Sequence, residues 1–377
     1  MKILSLISPS PFSPLSNDAM YWRIWNIRRL LQADGHEVDL VCYTPRCLYK
    51  KINDEYLKQE VSFRLTALPN LHYLKDINKY DLIYANTAWS GFNSLLGKLN
   101  RHPPVIVDMH GLLYEEYLIQ KANNKISTVF SSGIRKLADI TSLKFSNKII
   151  CVSNKMIDYL CINRGVPLHK VDHIANGVDL DFFKASCNSN VDELRDKLNL
   201  ANKMVFGYLG EFQKWQGVEN FISAASKIKS KDVAFIIVGT NYPYHVNSNI
   251  QYIPRVPRQL TPYYYSLCDV LVLPRPSYPA TEVAAPTKFA EYVSMSKPVL
   301  TTNVGDAADL VRDYECGIVI ENNDINNISH GIKTFSGMSI AELRTMGENS
   351  RKLAINEFDW EKQRYKLRHC IEKTFDV

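Results

Sequence analysis

Asp269-Val-Leu-Val-Leu-Pro274, followed by Pro286-Thr-Lys-Phe-Ala-Glu-Tyr292 and Pro298-Val-Leu-Thr-Thr302, is the stretch that decides the fold. The apolar run before Pro274 predicts a parallel strand that is buried on both faces. Proline is favoured in the first turn of a helix, so Pro286 predicts a helix from about Thr287 to Ser296. A second strand through residues 298–302 then completes a strand–helix–strand unit.

The start of this predicted helix is suited to binding an anion. Its first backbone N–H groups have no partner inside the helix, and the macrodipole places partial positive charge there. Lys288 adds a full positive charge in the first turn, next to the carboxyl end of a strand where phosphate commonly binds. Glu291 lies one turn further along, where its carboxylate can accept hydrogen bonds from a ribose. The pattern therefore predicts a phosphate and ribose site.

Composition limits the class of protein. The chain has 377 residues, enough for two domains that each bury a core. Apolar residues make up 46% of it, as in globular proteins, and no run approaches the roughly 18 residues needed to span a bilayer. Eight cysteines without a Cys-x-x-Cys pair predict reduced thiols in a cytoplasmic protein and argue against a disulfide framework or a metal site.

Strands and helices alternate along both halves of the chain. This alternation predicts an α/β protein with parallel sheets and helices on both faces, in two Rossmann-like domains. The strands are predicted at Lys2–Ser8, Glu37–Tyr43, Asp81–Ala85, Val105–Met109, Lys148–Val152, Met204–Leu209, Ala234–Val238, Val270–Leu273, Pro298–Thr302 and Gly317–Ile320.

Motifs spread over nearly the whole chain resemble those of one family. The 286–292 stretch with Ser296-Lys-Pro-Val299 resembles the donor-binding signature of retaining glycosyltransferase family 4, which has the GT-B fold. Other landmarks follow in the family's order, namely Gly35-His-Glu-Val38, Asp108-Met-His-Gly111, Cys151-Val-Ser-Asn154, Ile174-Ala-Asn-Gly-Val-Asp179, Gly207-Tyr-Leu-Gly210, Lys214-Trp-Gln-Gly-Val-Glu219 and Phe358-Asp-Trp-Glu361.

The resemblance implies two Rossmann-like domains whose parallel sheets face a central cleft. The first would comprise residues 1–175 with the C-terminal helix 360–377 and bind the acceptor. The second, residues 176–359, would bind a nucleotide-sugar donor. The implied reaction is transfer of a sugar from a UDP- or GDP-sugar to an acceptor hydroxyl, with retention, in polysaccharide, lipopolysaccharide or glycolipid biosynthesis. The acceptor would then be a saccharide or a lipid-linked sugar.

A non-catalytic role remains an alternative. Val283 stands where the family often has a second glutamate, and Glu211 stands where it commonly has an arginine. A chain with these departures can also be a nucleotide-sugar-binding subunit that partners an active glycosyltransferase. Turnover by the purified chain distinguishes the two.

The resemblance also implies a set of site residues. Glu291 would bind the ribose, with Pro286 and Thr287 in the same signature, and Glu282 would take the place of the carboxylate missing at Val283. His110 would lie beside the donor sugar at the reaction centre. Further donor contacts are implied at Gly210 and at Arg255 near the base. Asn17, in the loop after the first strand, can cap the following helix and leave its N–H groups exposed to a phosphate.

Positive charge is needed on the diphosphate, because charge builds on the leaving group as the glycosidic bond breaks. The family's usual cation positions are occupied here by Glu211 and Gln216. Lys214 and Lys288 are therefore predicted to supply the charge, although either can also be an ordinary surface lysine. With His110 they form the predicted catalytic set.

No metal or other cofactor is expected beside the nucleotide-sugar substrate. The Asp-x-Asp spacing of Asp179 and Asp181 follows an interdomain turn instead of a donor-site strand. Activity is therefore predicted to be independent of divalent metal.

Residues 121–155 carry seven basic residues against one acidic residue, Asp139. An apolar stripe at near-helical spacing runs through the same segment. Either the segment attaches to an anionic membrane surface or a phosphate-bearing acceptor, or its charges simply face water. The first reading predicts a cytoplasmic protein held at the inner membrane face.

Nucleic acid is not expected as a partner of this segment, since no aromatic interleaving accompanies the charge. The basic residues are Lys121, Lys125, Arg135, Lys136, Lys144, Lys148 and Lys155, and the stripe is Ile126, Val129, Phe130, Ile134, Leu137 and Ile140.

Overall fold

The computed structural model describes residues 1–7, 19–44, 61–65, 77–95, 103–120, 127–184, 189–239 and 249–375. The chain divides into two compact units, one of Met1–Ala175 with Trp360–Val377 and the other of Asn176–Asp359. Each unit contains one parallel sheet with helices packed against it. The predicted fold class, an α/β protein of the GT-B type with two Rossmann-like domains, is confirmed.

The first unit is built on a seven-stranded sheet in the order β3-β2-β1-β4-β5-β6-β7. All its strand pairs are parallel, and β1, β4 and β5 are almost wholly buried because helices cover both faces. The order reverses between β1 and β4. The strands are Lys2–Ile7, Glu37–Thr44, Ser62–Leu65, Leu82–Ala85, Val105–Met109, Lys148–Cys151 and Val171–His173; the helices α1–α5 are Ala19–Ala33, Ala88–Leu95, Leu113–Gln120, Ser127–Phe145 and Asn154–Arg164.

The C-terminal helix, Trp360–Phe375, belongs to this first unit. Leu367 and Ile371 on its inner face pack into the core cluster that contains Ile3 and Ile27. At its surface the Asp34 carboxylate accepts a 2.8 Å hydrogen bond from Arg364 Nε and another from Arg368. Apolar burial and a charge-assisted contact therefore both fix this helix against α1.

The second unit has a six-stranded sheet in the order β10-β9-β8-β11-β12-β13, again with every pair parallel. Its order reverses between β8 and β11, and ligands of open α/β sheets bind at such a reversal. The strands are Met204–Leu209, Val233–Val238, Ile250–Ile253, Val270–Leu273, Val299–Thr302 and Gly317–Ile320; the helices α6–α13 are Ser189–Lys197, Val218–Lys227, Thr261–Leu267, Pro279–Val283, Thr287–Ser294, Gly305–Asp313, Ile325–Ser336 and Ile340–Glu357.

Each of the ten predicted strands agrees with an observed strand to within one residue at either end. The region between β11 and α10 differs from the prediction. The expected loop contains the one-turn helix α9, which begins at Pro279 and is capped by reciprocal hydrogen bonds between Tyr278 and Thr281. Pro286 precedes α10 instead of lying in its first turn, and α10 ends at Ser294 because Ser296 adopts a left-handed conformation at φ 56°.

The basic segment of residues 121–155 is only partly exposed. Lys148 is buried, where it forms a 3.4 Å ion pair with Asp172, so it does not contribute to a basic surface as predicted. Lys121, Lys125 and Ile126 lie outside the described residues. Among the described residues, no helix is both long and apolar enough to cross a bilayer.

Candidate active site

Helix α10 brings the central polar residues of the second unit to the carboxyl edge of its sheet. Phe289, Tyr292 and Val293 bury one face of the helix, and Lys288 and Glu291 are left on the other. The Arg351 guanidinium donates a 2.8 Å hydrogen bond to the Ser294 carbonyl at the end of the helix, where positive charge is favourable. Helix α10 is thereby anchored along its buried face and at its C-terminal end.

Lys288 is a partly buried ammonium group surrounded by neutral oxygens. Its Nζ donates to the Tyr208 hydroxyl at 2.9 Å and to Gln216 Oε1 at 3.1 Å, and lies 4.4 Å from the Tyr208 ring centroid. In the described part of the chain no carboxylate forms an ion pair with it. Burial lowers the pKa of Lys288 to about 7, helped by the Arg275 charge and opposed by Glu291 and Glu211. A bound anion would restore the ammonium form.

Two glycines with positive φ lie near this part of the unit, and one of them is directly beside the ammonium. Gly210 follows β8 with φ 146°, and a Cβ there would come within 2.5 Å of Lys288 Nζ. Gly217 has φ 67°, and a Cβ there would lie 2.1 Å from the Pro274 carbonyl oxygen. Asn323 Nδ2 donates to the carbonyls of both Gly217 and Pro274, which fastens the Lys214–Gln216 turn to the end of β11. The positive φ thus disfavours a side chain at both positions, and at Gly217 a Cβ would also collide with a backbone oxygen.

Both carboxylate oxygens of Glu291 already accept hydrogen bonds. Arg258 Nη1 donates to Oε1 at 3.1 Å and the Tyr265 hydroxyl donates to Oε2 at 2.7 Å, with only 12% of the Glu291 side chain exposed. Burial and the nearby Glu291 charge raise the pKa of Tyr265 well above its usual value, so this hydroxyl remains a donor. The Glu291 carboxylate is consequently held in one orientation, with lone pairs left over for a ligand.

Glu282 lies in α9 and is also hydrogen-bonded within the protein. The Ser277 hydroxyl donates to its Oε1 at 2.6 Å, and the backbone N–H of Gly305 donates to its Oε2 at 3.0 Å. It therefore caps the start of α11, while Val283 is buried. The role of Glu282 in donor binding stays a prediction, and in the structure its carboxylate caps a helix.

The other predicted residues of the second unit are less closely associated with Lys288. Lys214 is exposed, and Gln216 from the same turn contacts the Lys288 ammonium in its place. Arg255 is exposed and lies 3.7 Å from Glu211, measured from Nη1 to Oε1. Their donor contacts stay predictions.

Sequence reasoning missed Tyr208, whose hydroxyl accepts from Lys288, and three further residues of this site. Arg258 and Tyr265 orient Glu291, and Arg275 is a buried cation that acts electrostatically on Lys288 and Tyr208. One signal pointed to Arg275, which stands between two prolines directly after the buried strand β11. The pairing of Arg258 with Glu291 spans 33 positions and leaves no local pattern.

His110 belongs to the first unit, where it follows the last residue of β5. Its side chain is 17% exposed, and its Nε2 lies 3.3 Å from Oδ2 of the buried Asp108. Asn17 lies outside the described residues. Within the described residues no cluster of three or more His, Cys, Asp or Glu side chains is arranged to hold a metal ion.

Comparisons with known proteins match both halves of the chain to glycosyltransferase families. The family described as Glycosyltransferase Family 4 matches residues 22–182, and the family described as Glycosyl transferases group 1 matches residues 190–353. The chain is 24% identical over 358 residues to UDP-Gal:alpha-D-GlcNAc-diphosphoundecaprenol alpha-1,3-galactosyltransferase of Escherichia coli, covering 88% of this chain and 87% of that one.

Solved structures share the fold at low identity. Sucrose-phosphate synthase from Thermosynechococcus elongatus superposes with a TM-score of 0.76 at 19% identity, covering 100% of this chain and 99% of that one. HepE from Anabaena in complex with UDP gives a TM-score of 0.75 at 18% identity, covering 99% of this chain and 100% of that one. One glycosyltransferase family model thus matches each half of the chain. The chain belongs to the group 1 glycosyltransferases, glycosyltransferase family 4.

Proposed function

We propose that this protein is a retaining glycosyltransferase that moves a sugar from a UDP- or GDP-sugar to an acceptor hydroxyl in polysaccharide, lipopolysaccharide or glycolipid biosynthesis. The observation that carries the proposal is the Lys288 ammonium at the start of α10, which is partly buried and forms no ion pair with a carboxylate of the described residues. The relative from Escherichia coli uses a UDP-sugar and a lipid-linked acceptor by its name. HepE binds UDP and UDP-glucose.

Donor binding then follows from the site chemistry of the second unit. The diphosphate lies against Lys288 and the first N–H groups of α10, which together offer charge and hydrogen bonds. Gly210 permits close approach of the phosphates. Glu291 accepts from the ribose hydroxyls through lone pairs that Arg258 and Tyr265 do not use. Residues 176–359 are the donor unit in this scheme, and residues 1–175 with 360–377 are the acceptor unit.

The reaction proceeds on one face of the donor sugar. A double displacement would require a carboxylate nucleophile at the reaction centre, and neither Glu291 nor Glu282 is assigned that role. The leaving phosphate instead assists deprotonation of the acceptor hydroxyl, while His110 hydrogen-bonds the donor sugar. Lys288 stabilises the charge that develops on the diphosphate.

Turnover by the purified chain alone tests the function and its metal independence. We expect release of nucleoside diphosphate from one UDP- or GDP-sugar of a panel, undiminished in EDTA, with the anomeric configuration retained in the transferred sugar. Product analysis by NMR and a coupled nucleotide assay measure these quantities. Donor binding without turnover would identify the non-catalytic subunit instead. A strict manganese or magnesium requirement would contradict the proposed metal independence.

Glu291→Gln should weaken binding of the nucleoside diphosphate by about 1–3 kcal/mol, the usual cost of losing a hydrogen bond to a charged group. The loss should concern the ribose, so the parent should bind UDP or GDP more tightly than its 2′-deoxy form and the variant should not. Isothermal titration calorimetry measures the affinities of the parent and of the variant for the ribose and the 2′-deoxy nucleotide. Glu348→Gln, an exposed change on α13, is the matched control. Unchanged discrimination between ribose and deoxyribose would exclude Glu291 as the ribose contact.

Diphosphate affinity should fall as pH rises above 7. The pKa of Lys288 is lowered to about 7 without ligand, and a bound diphosphate raises it by favouring the ammonium form. Binding above pH 7 therefore takes up a proton, with up to about a tenfold loss of affinity per pH unit. The terminal phosphate is itself already ionised there, since its second pKa is about 6. Lys288→Met should bind weakly and abolish this slope, while Lys352→Met, on the exposed face of α13, should retain it.

We also propose that the exposed face of α4 attaches the protein to anionic membranes at the cytoplasmic side. Leu137 and Ile140 are 54% and 44% exposed, and Lys136 and Lys144 are exposed on the same helix. Asp139, the only acid of the segment, is buried and does not oppose these charges. Each lysine near an anionic surface contributes about 1 kcal/mol, and the two apolar side chains can enter the interface.

Co-sedimentation with liposomes tests this attachment. The parent should bind vesicles that contain anionic lipid, and binding should fall as salt rises. It should drop for the pair Leu137→Ser and Ile140→Ser and for the pair Lys136→Glu and Lys144→Glu. Ile340→Ser, which removes an exposed apolar side chain from α13, is the control. Parent protein that stays in the supernatant with anionic vesicles at low salt would rule out the membrane role.

A further inference from the structure

A buried charged network lies next to His110 in the first unit. Arg23 donates through Nε to Asp108 Oδ2 and through Nη2 to Oδ1, both at 2.9 Å, and the Tyr84 hydroxyl donates to Oδ2 at 2.8 Å. All three side chains are essentially inaccessible to water. A bidentate pair with these additional bonds holds the Asp108 carboxylate in a single orientation.

Arg23 is itself fixed from a second direction. Its Nη1 donates to the Ala175 carbonyl at 2.9 Å and its Nη2 to the Ile174 carbonyl at 3.0 Å. Burial alone would raise the pKa of Asp108, but the charge of Arg23 and its hydrogen bonds to the carboxylate lower it well below its usual value overall. Asp108 is therefore an ionised carboxylate, acceptor only, throughout the working pH range.

His110 directs one ring nitrogen at this carboxylate. Nε2 lies 3.3 Å from Asp108 Oδ2, is buried, and has no well-aligned hydrogen-bond partner among the described residues. Were Nε2 unprotonated, its lone pair would face the carboxylate lone pairs across that distance. A proton on Nε2 turns this repulsion into attraction, and contacts of this length commonly tighten when a substrate binds.

We propose that Asp108 is a positioning residue that locks His110 in the Nε2–H tautomer and so leaves Nδ1 as a hydrogen-bond acceptor on the opposite edge of the ring. In a neutral imidazole the second nitrogen must be the acceptor once the first carries the proton. The edge so fixed would accept from a sugar hydroxyl. That ligand assignment rests on the proposed function, whereas the locking of the ring does not.

The tautomer can be observed without any substrate. Long-range ¹H–¹⁵N correlation spectra of protein labelled with ¹⁵N-histidine, taken near pH 8 where an ordinary histidine is neutral, separate the two tautomers. The chain has nine histidines, and His110→Gln identifies the signals of this one. We expect the Nε2–H pattern for His110 in the parent. A dominant Nδ1–H pattern, or an even mixture, would overturn the proposal.

Mutation tests whether Asp108 acts through His110. Asp108→Asn should disturb the Nε2–H pattern and lower kcat for donor turnover by about 10-fold or more with little change in KM, because the imidazole is misplaced in the reaction itself. In a His110→Gln background the same change should have no further effect. Asp39→Asn is the matched control, since Asp39 likewise accepts from a tyrosine, Tyr80, at 2.7 Å in the same unit.

The outcomes separate this proposal from the proposed function. Equal losses from Asp108→Asn with and without His110 would show a merely structural carboxylate and overturn the proposal. If Asp108→Asn does not fold, as melting curves would reveal, the spectra of the parent decide. A parent without donor binding or turnover would contradict the proposed function, while the tautomer would still stand or fall on its spectra.

Discussion

A parallel sheet covered by helices on both faces has few places where a ligand can reach the backbone. In both units nearly all central strand residues are buried, so polar chemistry is confined to the ends of the strands. The carboxyl edge, where the helix N-termini lie, is the edge that favours anions. Lys288 and Glu291 are found at that edge of one sheet, and His110 is found at that edge of the other. The position of each polar group thus follows from how the apolar strands are covered.

Strand periodicity and helix signals predicted the fold well because both are local. Apolar runs such as Val270–Leu273 appear in the structure almost residue for residue. Three short edge strands, Ser62–Leu65, Val171–His173 and Ile250–Ile253, were missed, because each mixes polar with apolar residues and lacks the apolar run of a buried central strand. The one-turn helix α9 was missed for a different reason, since it is stabilised by the Tyr278–Thr281 cap and by the contact of Glu282 with Gly305 instead of by a periodic pattern.

The candidate site was predictable where one helix carries it and unpredictable where it depends on distant partners. Lys288 and Glu291 share α10, so sequence could place them together. Their partners Tyr208, Arg258 and Tyr265 come from other elements of the unit. The Arg23–Asp108 pair joins residues 85 positions apart, and neither motif around them indicates the other. Gln216 and Lys288 are also far apart in sequence, 72 positions, and their contact depends on the turn that Gly217 permits. The sequence therefore favoured the charged Lys214 of that turn over Gln216.

The helix Trp360–Phe375 has a consequence for the order of events during synthesis. The second unit is one continuous segment, Asn176–Asp359, and can fold as soon as it leaves the ribosome. The first unit emerges earlier but lacks Leu367, Cys370 and Ile371, which complete the cluster around Ile3 and Ile27. The apolar surface that these residues cover stays exposed until the second unit has been translated in full. A nascent chain of this protein is therefore most exposed to aggregation, and most dependent on chaperones, while its second half is being made.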